Sequence, residues 1–199
     1  MKIVNRNHLF VLLMAMLAGS AHAHAGHGTF SFFEGVSHPF GWDHLLAMVA
    51  VGMWSVLALP ARQAAIGPVT FLLMMLAGSL MGMTGGSVTN LEALMAVSVL
   101  LLAVMLLVPL LSVSRVAQGL GLCVVAVSAL LHGLAHGMEA PVGQASGYVL
   151  GFVFSTAALH VAGAFTAVCV RRAWSARTAS LVLGTAVGSA GLCLLGQFV

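Results

Sequence analysis

Charged residues are scarce in this chain: Asp, Glu, Lys and Arg make up 6% of its 199 residues, whereas an average soluble domain contains about 25%. This scarcity excludes an ordinary soluble globular protein. Seven basic side chains are also too few for a nucleic-acid-binding surface. The only lysine, Lys2, lies near the N-terminus, which excludes the lysine-containing phosphate loop of nucleotide-binding proteins. We therefore expect neither nucleic acid nor nucleotide as a partner.

Cysteine is rare as well. The three cysteines, Cys123, Cys169 and Cys193, are odd in number, lie in apolar segments and show no Cys-x-x-Cys spacing. We therefore predict that they are small buried hydrophobic side chains without a redox role.

Apolar residues, in contrast, make up 61% of the chain. Because a transmembrane helix needs about 20 of them, this content suffices for roughly six spans. Polar, glycine and proline breaks separate apolar runs at 40–59, 66–83, 91–111, 116–137, 145–170 and 178–198. The sequence thus predicts an all-α integral membrane protein, with a domain of six transmembrane helices over 40–199 that is surrounded by the lipid bilayer.

The N-terminus has the pattern of a secretory signal peptide. Lys2 and Arg6 precede an apolar run that is too short to cross a membrane, and small residues follow as far as Ala23. We predict a cleaved signal peptide over 1–23, which leaves 24–39 as a histidine-containing segment outside the membrane. Cleavage after Ala25 and an uncleaved amphipathic anchor are the alternatives.

Charge distribution supports the same topology. With an external mature N-terminus and six crossings, the basic residues Arg62, Arg115, Arg171, Arg172 and Arg177 all fall on the inside. The external breaks at 84–90 and 137–144 contain no Lys or Arg, as the positive-inside rule requires. Both ends of the mature chain are then expected on the outer side, together with the four acidic residues.

Histidine is the anomaly, since nine histidines accompany only four acids. A first group, His38, Asp43 and His44, lies at the outer start of the first span. Imidazole nitrogens with a carboxylate suit a borderline divalent metal ion, because Ca²⁺ and Mg²⁺ favour oxygen ligands and Cu⁺ favours sulfur. The alternative is a hydrogen-bonded pair of interfacial side chains.

A second group, His132, His136 and Glu139, lies at the outer end of the fourth span. On a helix these side chains fall within about 60° of one another, and Ser128 extends the stripe by one turn. Two imidazoles four residues apart can bind one metal ion, with Glu139 as a ligand or as a partner of a ligand. The alternative is a polar stripe that forms hydrogen bonds with neighbouring helices.

Three further histidines are candidates for capture or relay of an ion. His24 and His27 lie at or beside the expected mature N-terminus. His160 lies near the middle of the fifth span, where an ionisable residue often marks an ion pathway. A hydrogen-bonded core histidine is the alternative for His160.

The two groups together resemble the motifs of the HupE/UreJ family of nickel permeases. The first family motif corresponds to His38-Pro39 followed by Asp43-His44, and the second corresponds to the run from His132 to Glu139. Leu131 replaces a phenylalanine of the second motif. The His-x4-Asp-His spacing also resembles the signature of larger nickel/cobalt transporters, so cobalt is an alternative metal.

The resemblance implies a function and a location. A member of this family is a non-enzymatic secondary transporter of the bacterial inner membrane, here with periplasmic termini. It has no prosthetic group, since Ni²⁺ or Co²⁺ is the substrate, and it supplies a nickel enzyme such as hydrogenase or urease. The membrane potential suffices as driving force, because two charges crossing about 100 mV gain roughly 4.6 kcal/mol.

Two other functions fit the same residues. An intramembrane zinc hydrolase would bind Zn²⁺ through three histidines and use Asp43 or Glu139 as base. A periplasm-facing metal sensor or metallochaperone partner would bind the metal without moving it. Flux of metal into liposomes separates these functions from transport.

Overall fold

The computed structural model describes residues 31–110, 114–141 and 143–198, and these are helical with no strand among them. The predicted signal peptide, His24 and His27 lie outside the described residues. The α-helices of the described part are α1 (Ser31–Ser37), α2 (Trp42–Ala58), α3 (Ile66–Met83), α4 (Leu91–Leu107), α5 (Arg115–Met138), α6 (Ala145–Ala173) and α7 (Ala176–Leu195). Short 3-10 turns occupy His38–Phe40, Ala61–Gln63 and Val108–Leu110.

Four of the described helices are long and apolar enough to cross a membrane. They are α3 with its preceding turn, α5, α6 and α7, and a fifth candidate is the pair Phe32–Phe40 and Trp42–Ala58, which is bent by 81°. The remaining helix, α4, has 17 residues, about 26 Å at 1.5 Å per residue, which is shorter than a hydrocarbon core of about 30 Å. A multi-pass membrane protein is confirmed, and the sixth span stays a prediction.

Two boundaries differ from those expected. The span predicted over 91–111 is α-helical only as far as Leu107, because Pro109 lacks a backbone N–H and lies in the 3-10 turn that follows. The first span starts at Trp42, and α1 precedes it within the 24–39 segment. No sequence pattern predicts α1, whose Gly35 lies directly against the backbone of Tyr148 in α6.

Close helix contacts are made through glycine. Gly78 and Gly82 of α3 lie against the backbone of α5, and Gly184 of α7 lies against the Leu107 side chain of α4. These glycines are thus packing positions, where a missing Cβ lets two helices approach closely. Helix α2 is enclosed by its neighbours along most of its length.

The bundle has two chemically different ends. At the arginine end, α2, α4 and α6 finish and α3, α5 and α7 begin, and all the arginines of the described residues lie there. At the histidine end, α2 and α6 begin and α3 and α5 finish. The expectation of buried cysteines is wrong, because Cys123 and Cys193 are exposed on the outside of the bundle and Cys169 is half-buried.

Candidate metal centre

Four imidazole rings meet at the histidine end of the bundle. The His136 ring centroid lies 4.6 Å from that of His38 and 4.7 Å from that of His44. The His132 ring lies 4.7 Å from the His44 ring. We call these four residues the histidine cluster. Two of them come from α5, one from α2 and one from the turn that precedes α2.

Three members of the cluster are placed to share one ion. His38, His44 and His136 each offer a ring nitrogen, and these atoms lie within 4.8 Å of one another. Two nitrogens bound to one ion at about 2.1 Å are at most about 4.2 Å apart. A side-chain movement of about an ångström would therefore close the set around a single metal ion.

Several buried ring nitrogens of the histidine cluster have no hydrogen-bond partner among the described residues. His132 and His136 are fully buried. Among the described residues, no hydrogen-bond partner is found for Nε2 of His44, Nδ1 of His132 or either ring nitrogen of His136. A buried polar atom without a partner costs about 1–3 kcal/mol. A divalent cation bound by these nitrogens would remove that cost.

Asp43 orients the His44 ring. Nδ1 of His44 donates a hydrogen bond of 2.9 Å to Oδ1 of Asp43, and the backbone N–H of His44 donates to the same oxygen. Because the proton is held on Nδ1, the lone pair of Nε2 is free to bind a cation. Asp43 is therefore placed to orient the His44 ring, whereas its pattern in the sequence predicts a metal ligand or a hydrogen-bonded interfacial pair.

Ser98 of α4 plays the corresponding part for His132. Its hydroxyl donates to the carbonyl of Met95 at 2.8 Å, so its oxygen accepts a hydrogen bond of 3.2 Å from Nε2 of His132. The neutral His132 ring then carries its free lone pair on Nδ1. Ser98 is separated from His132 by 34 residues, and no local sequence signal pairs the two.

Glu139 lies at the rim of the cluster, just beyond the end of α5. Its Oε2 is 3.2 Å from Nε2 of His38, and 61% of its side chain is exposed. Partial burial raises the pKa of the Glu139 carboxyl above its ordinary value. The carboxylate is thus placed to attract a cation toward His38 from the surface.

Two aromatic residues of α6 complete the walls. Phe152 stacks on His136, with ring centroids 4.5 Å apart and an interplanar angle of 12°. The Tyr148 ring lies 5.7 Å from the His38 ring, and its buried hydroxyl has no hydrogen-bond partner within the part of the chain that the structure describes. With Thr156 and His160 they form a stripe of four-residue spacing on α6, a signal that could have revealed both residues in the sequence.

The predicted groups therefore come together, with one exception. A single assembly is formed from two segments of the chain, 38–44 and 132–139, by His38, Asp43, His44, His132, His136 and Glu139. His160 lies apart from them, with the ring of Phe71 next to it at 5.1 Å.

Sequence comparison identifies the family to which such an arrangement belongs. The profile described as HupE / UreJ protein matches residues 12–194. The chain belongs to the HupE/UreJ family. It is 35% identical over 181 residues to Protein HupE of Rhizobium leguminosarum bv. viciae. The matched region covers 90% of this chain and 92% of that protein. No solved structure matches the chain.

Membership confirms the resemblance that the two motifs suggest. The HupE/UreJ family is a metal transporter family associated with nickel and cobalt uptake for hydrogenase and urease. A bacterial inner-membrane protein without a prosthetic group fits that family. The comparisons give no support to an intramembrane zinc hydrolase.

Proposed function

We propose that this protein is a permease that takes up Ni²⁺, with Co²⁺ as the alternative substrate, and that the histidine cluster is its binding site. The observation that carries the proposal is a set of buried imidazoles, from His44, His132 and His136, each of which has at least one ring nitrogen without a hydrogen-bond partner among the described residues. Imidazole suits nickel and cobalt among the divalent metals.

The charge of the site suits transport better than permanent storage. Asp43 is the one carboxylate held within the cluster, and Glu139 lies at its exposed rim. Neutral imidazoles bind a cation through lone pairs without adding negative charge. A transport site has to bind the ion firmly enough to capture it and weakly enough to release it.

We further propose that the histidine end faces the periplasm and the arginine end the cytoplasm. The arginines of the described part all lie at one end, as the positive-inside rule predicts for a cytoplasmic face. The bent pair of α1 and α2 then serves as the first span and α4 as the third, which gives six spans with periplasmic termini. The inside-negative potential drives the cation from the cluster toward the arginines.

A relay completes the proposed path. His24 and His27 would collect the metal at the periplasmic surface, and His160 would receive it after the cluster. His160 is 2% exposed and has no hydrogen-bond partner at either ring nitrogen among the described residues. Delivered metal would supply a nickel enzyme such as hydrogenase or urease.

Metal flux into liposomes tests the proposal. The purified protein is reconstituted around a nickel-sensitive fluorophore, and a potassium gradient with valinomycin sets an inside-negative potential. We expect nickel influx that rises with the potential and is lost in the double variant His44→Ala/His136→Ala. Ser189→Ala, which changes an exposed hydroxyl of α7, is the matched control. Absence of potential-dependent influx in the wild-type protein would contradict transport.

A further inference from the structure

The ring of Phe71 in α3 is a neighbour of two histidines that lie at different depths. Its ring centroid lies 6.3 Å from that of His132 in the cluster and 5.1 Å from that of His160. Its side chain is fully buried. An ion that leaves the cluster toward His160 therefore meets this ring.

The far side of the ring offers ligands for an ion. Both ring nitrogens of His160 are buried and have no partner among the described residues. One turn earlier on α6, the hydroxyl of Thr156 donates to Sδ of Met75 at 3.7 Å, and Met75 lies one turn after Phe71 on α3. Imidazole and thioether groups both bind late first-row metals.

We propose that Phe71 is a gate between the histidine cluster and a second, inner metal-binding position at His160. This inference rests on the proposed transport function. In its closed position the apolar phenyl ring of Phe71 excludes a hydrated ion, as hydrophobic constrictions do in channels. Once the ring turns aside, its face offers a cation–π contact to the passing ion.

The neighbourhood of Phe71 allows such a movement. Phe71, Met75 and Ser79 recur every four residues on the buried face of α3. The unbranched Met75 side chain adapts its shape more readily than a branched one. Gly133 of α5 touches the Met75 backbone directly, so close contact between α3 and α5 fixes the backbone here and leaves the movement to side chains.

Substitutions that change the ring in opposite directions test the gate. In the liposome assay, Phe71→Trp should slow nickel influx at least about fivefold, and Phe71→Leu should accelerate it by about twofold or more. Equilibrium binding of nickel to the detergent-solubilised protein should stay within about twofold of wild type for both variants, because the cluster is intact. His160→Ala should slow influx, while nickel affinity at the cluster stays within about twofold of wild type. Leu183→Ala, which removes a buried side chain of α7, controls for general loosening of the bundle.

The outcomes separate the gate from the transport function. If wild-type protein transports nickel and both Phe71 variants transport and bind as it does, the gate is wrong and the proposed function stands. If both variants slow influx or lose binding together, Phe71 is a packing residue only, and the gate is again wrong. If wild-type protein moves no metal, the proposed function fails and the gate fails with it. Should Phe71→Trp not insert, Phe71→Tyr, which adds one hydroxyl to the ring, supplies the slowing arm with the same expected sign.

Discussion

The two ends of the bundle differ in whether their polar side chains have hydrogen-bond partners. At the histidine end, His44, His132 and His136 each have at least one buried ring nitrogen without a hydrogen-bond partner among the described residues. At the arginine end, polar side chains are matched to backbone: Gln118 donates to the carbonyl of Ala58 at 3.0 Å, and Arg171 donates to that of Val56 at 2.9 Å. The first end is built to receive a ligand, whereas the second is built to hold helices together.

A tryptophan makes the arginine end tight. Trp54 of α2 is 1% exposed, and its ring lies against backbone at Gly121 of α5 and close to Gly67 of α3. A Cβ on Gly121 would overlap the ring. The structure therefore shows a bundle that is closed at the arginine end while its histidine cluster lies near the opposite end.

Removing an imidazole of the histidine cluster should have the largest effect on nickel affinity. We expect His44→Ala or His136→Ala to weaken nickel affinity by more than about a hundredfold, since even changes to partners of a ligand cost about 10–100-fold. Isothermal titration of the solubilised protein measures the affinity, and Ser189→Ala is the control. Affinity within a few-fold of wild type would place the binding site elsewhere.

Removing the partner of a ligand should have the next largest effect. Asp43→Asn replaces a carboxylate that can only accept with an amide that can also donate. The proton is then no longer secured on Nδ1 of His44, so we expect affinity to fall by about 10–100-fold. Glu92→Gln removes an equal charge from an exposed position at the start of α4 and should change affinity by less than about twofold. Equal losses in both variants would mean that Asp43 acts through its charge alone.

These two predictions use residues that the sequence itself reveals. The His-x4-Asp-His run and the i, i+4 pair of His132 and His136 are local patterns, because a single turn or helix face fixes their geometry. The apolar runs between polar, glycine and proline breaks likewise predicted most of the spans. The chemistry of the cluster was therefore accessible before its shape was known.

The walls of the cluster were not predictable in the same way. Ser98, Phe71 and Phe152 reach the histidines from other helices, and their contacts depend on which helices are neighbours in the bundle. That choice depends on close glycine contacts between helices far apart in the chain. The contact of α1 with α6 through Gly35 and Gly151 is an example. The sequence of 24–39 alone does not predict this contact.

At the arginine end, disturbance should lower stability without affecting binding. Gly121→Ala forces its Cβ onto Trp54, and overpacking of this kind costs about 1–3 kcal/mol. We expect a lower melting temperature in detergent, unchanged nickel affinity, and partial recovery in the double variant with Trp54→Phe. Gly119→Ala is the matched control, because a Cβ there meets nothing within 4 Å. A melting temperature equal to that of the control would show that Trp54 is not tightly packed against Gly121.

The smallest effect is expected at the rim of the histidine end. Glu139→Gln removes a half-exposed carboxylate beside His38, so we expect nickel uptake at pH 7.5 to fall by about two- to fivefold, the range of exposed ion pairs. Because burial raises the pKa of Glu139, this carboxylate is protonated at a higher pH than an ordinary glutamate as the solution is acidified. Its attraction for the cation is present above the raised pKa and disappears as pH falls through it.

The ratio of wild-type to Glu139→Gln uptake isolates this titration from that of the histidines. Protonation of imidazoles lowers uptake in both proteins alike, since a metal ligand has to be neutral. The ratio should therefore fall toward one as the external pH is lowered from 7.5 to 4, while both absolute rates decline. A ratio that stays constant over this range would mean that Glu139 contributes through packing rather than charge. In that case attraction of the ion would depend on the buried cluster alone, and the contrast between the two ends would lie wholly in the interior of the bundle.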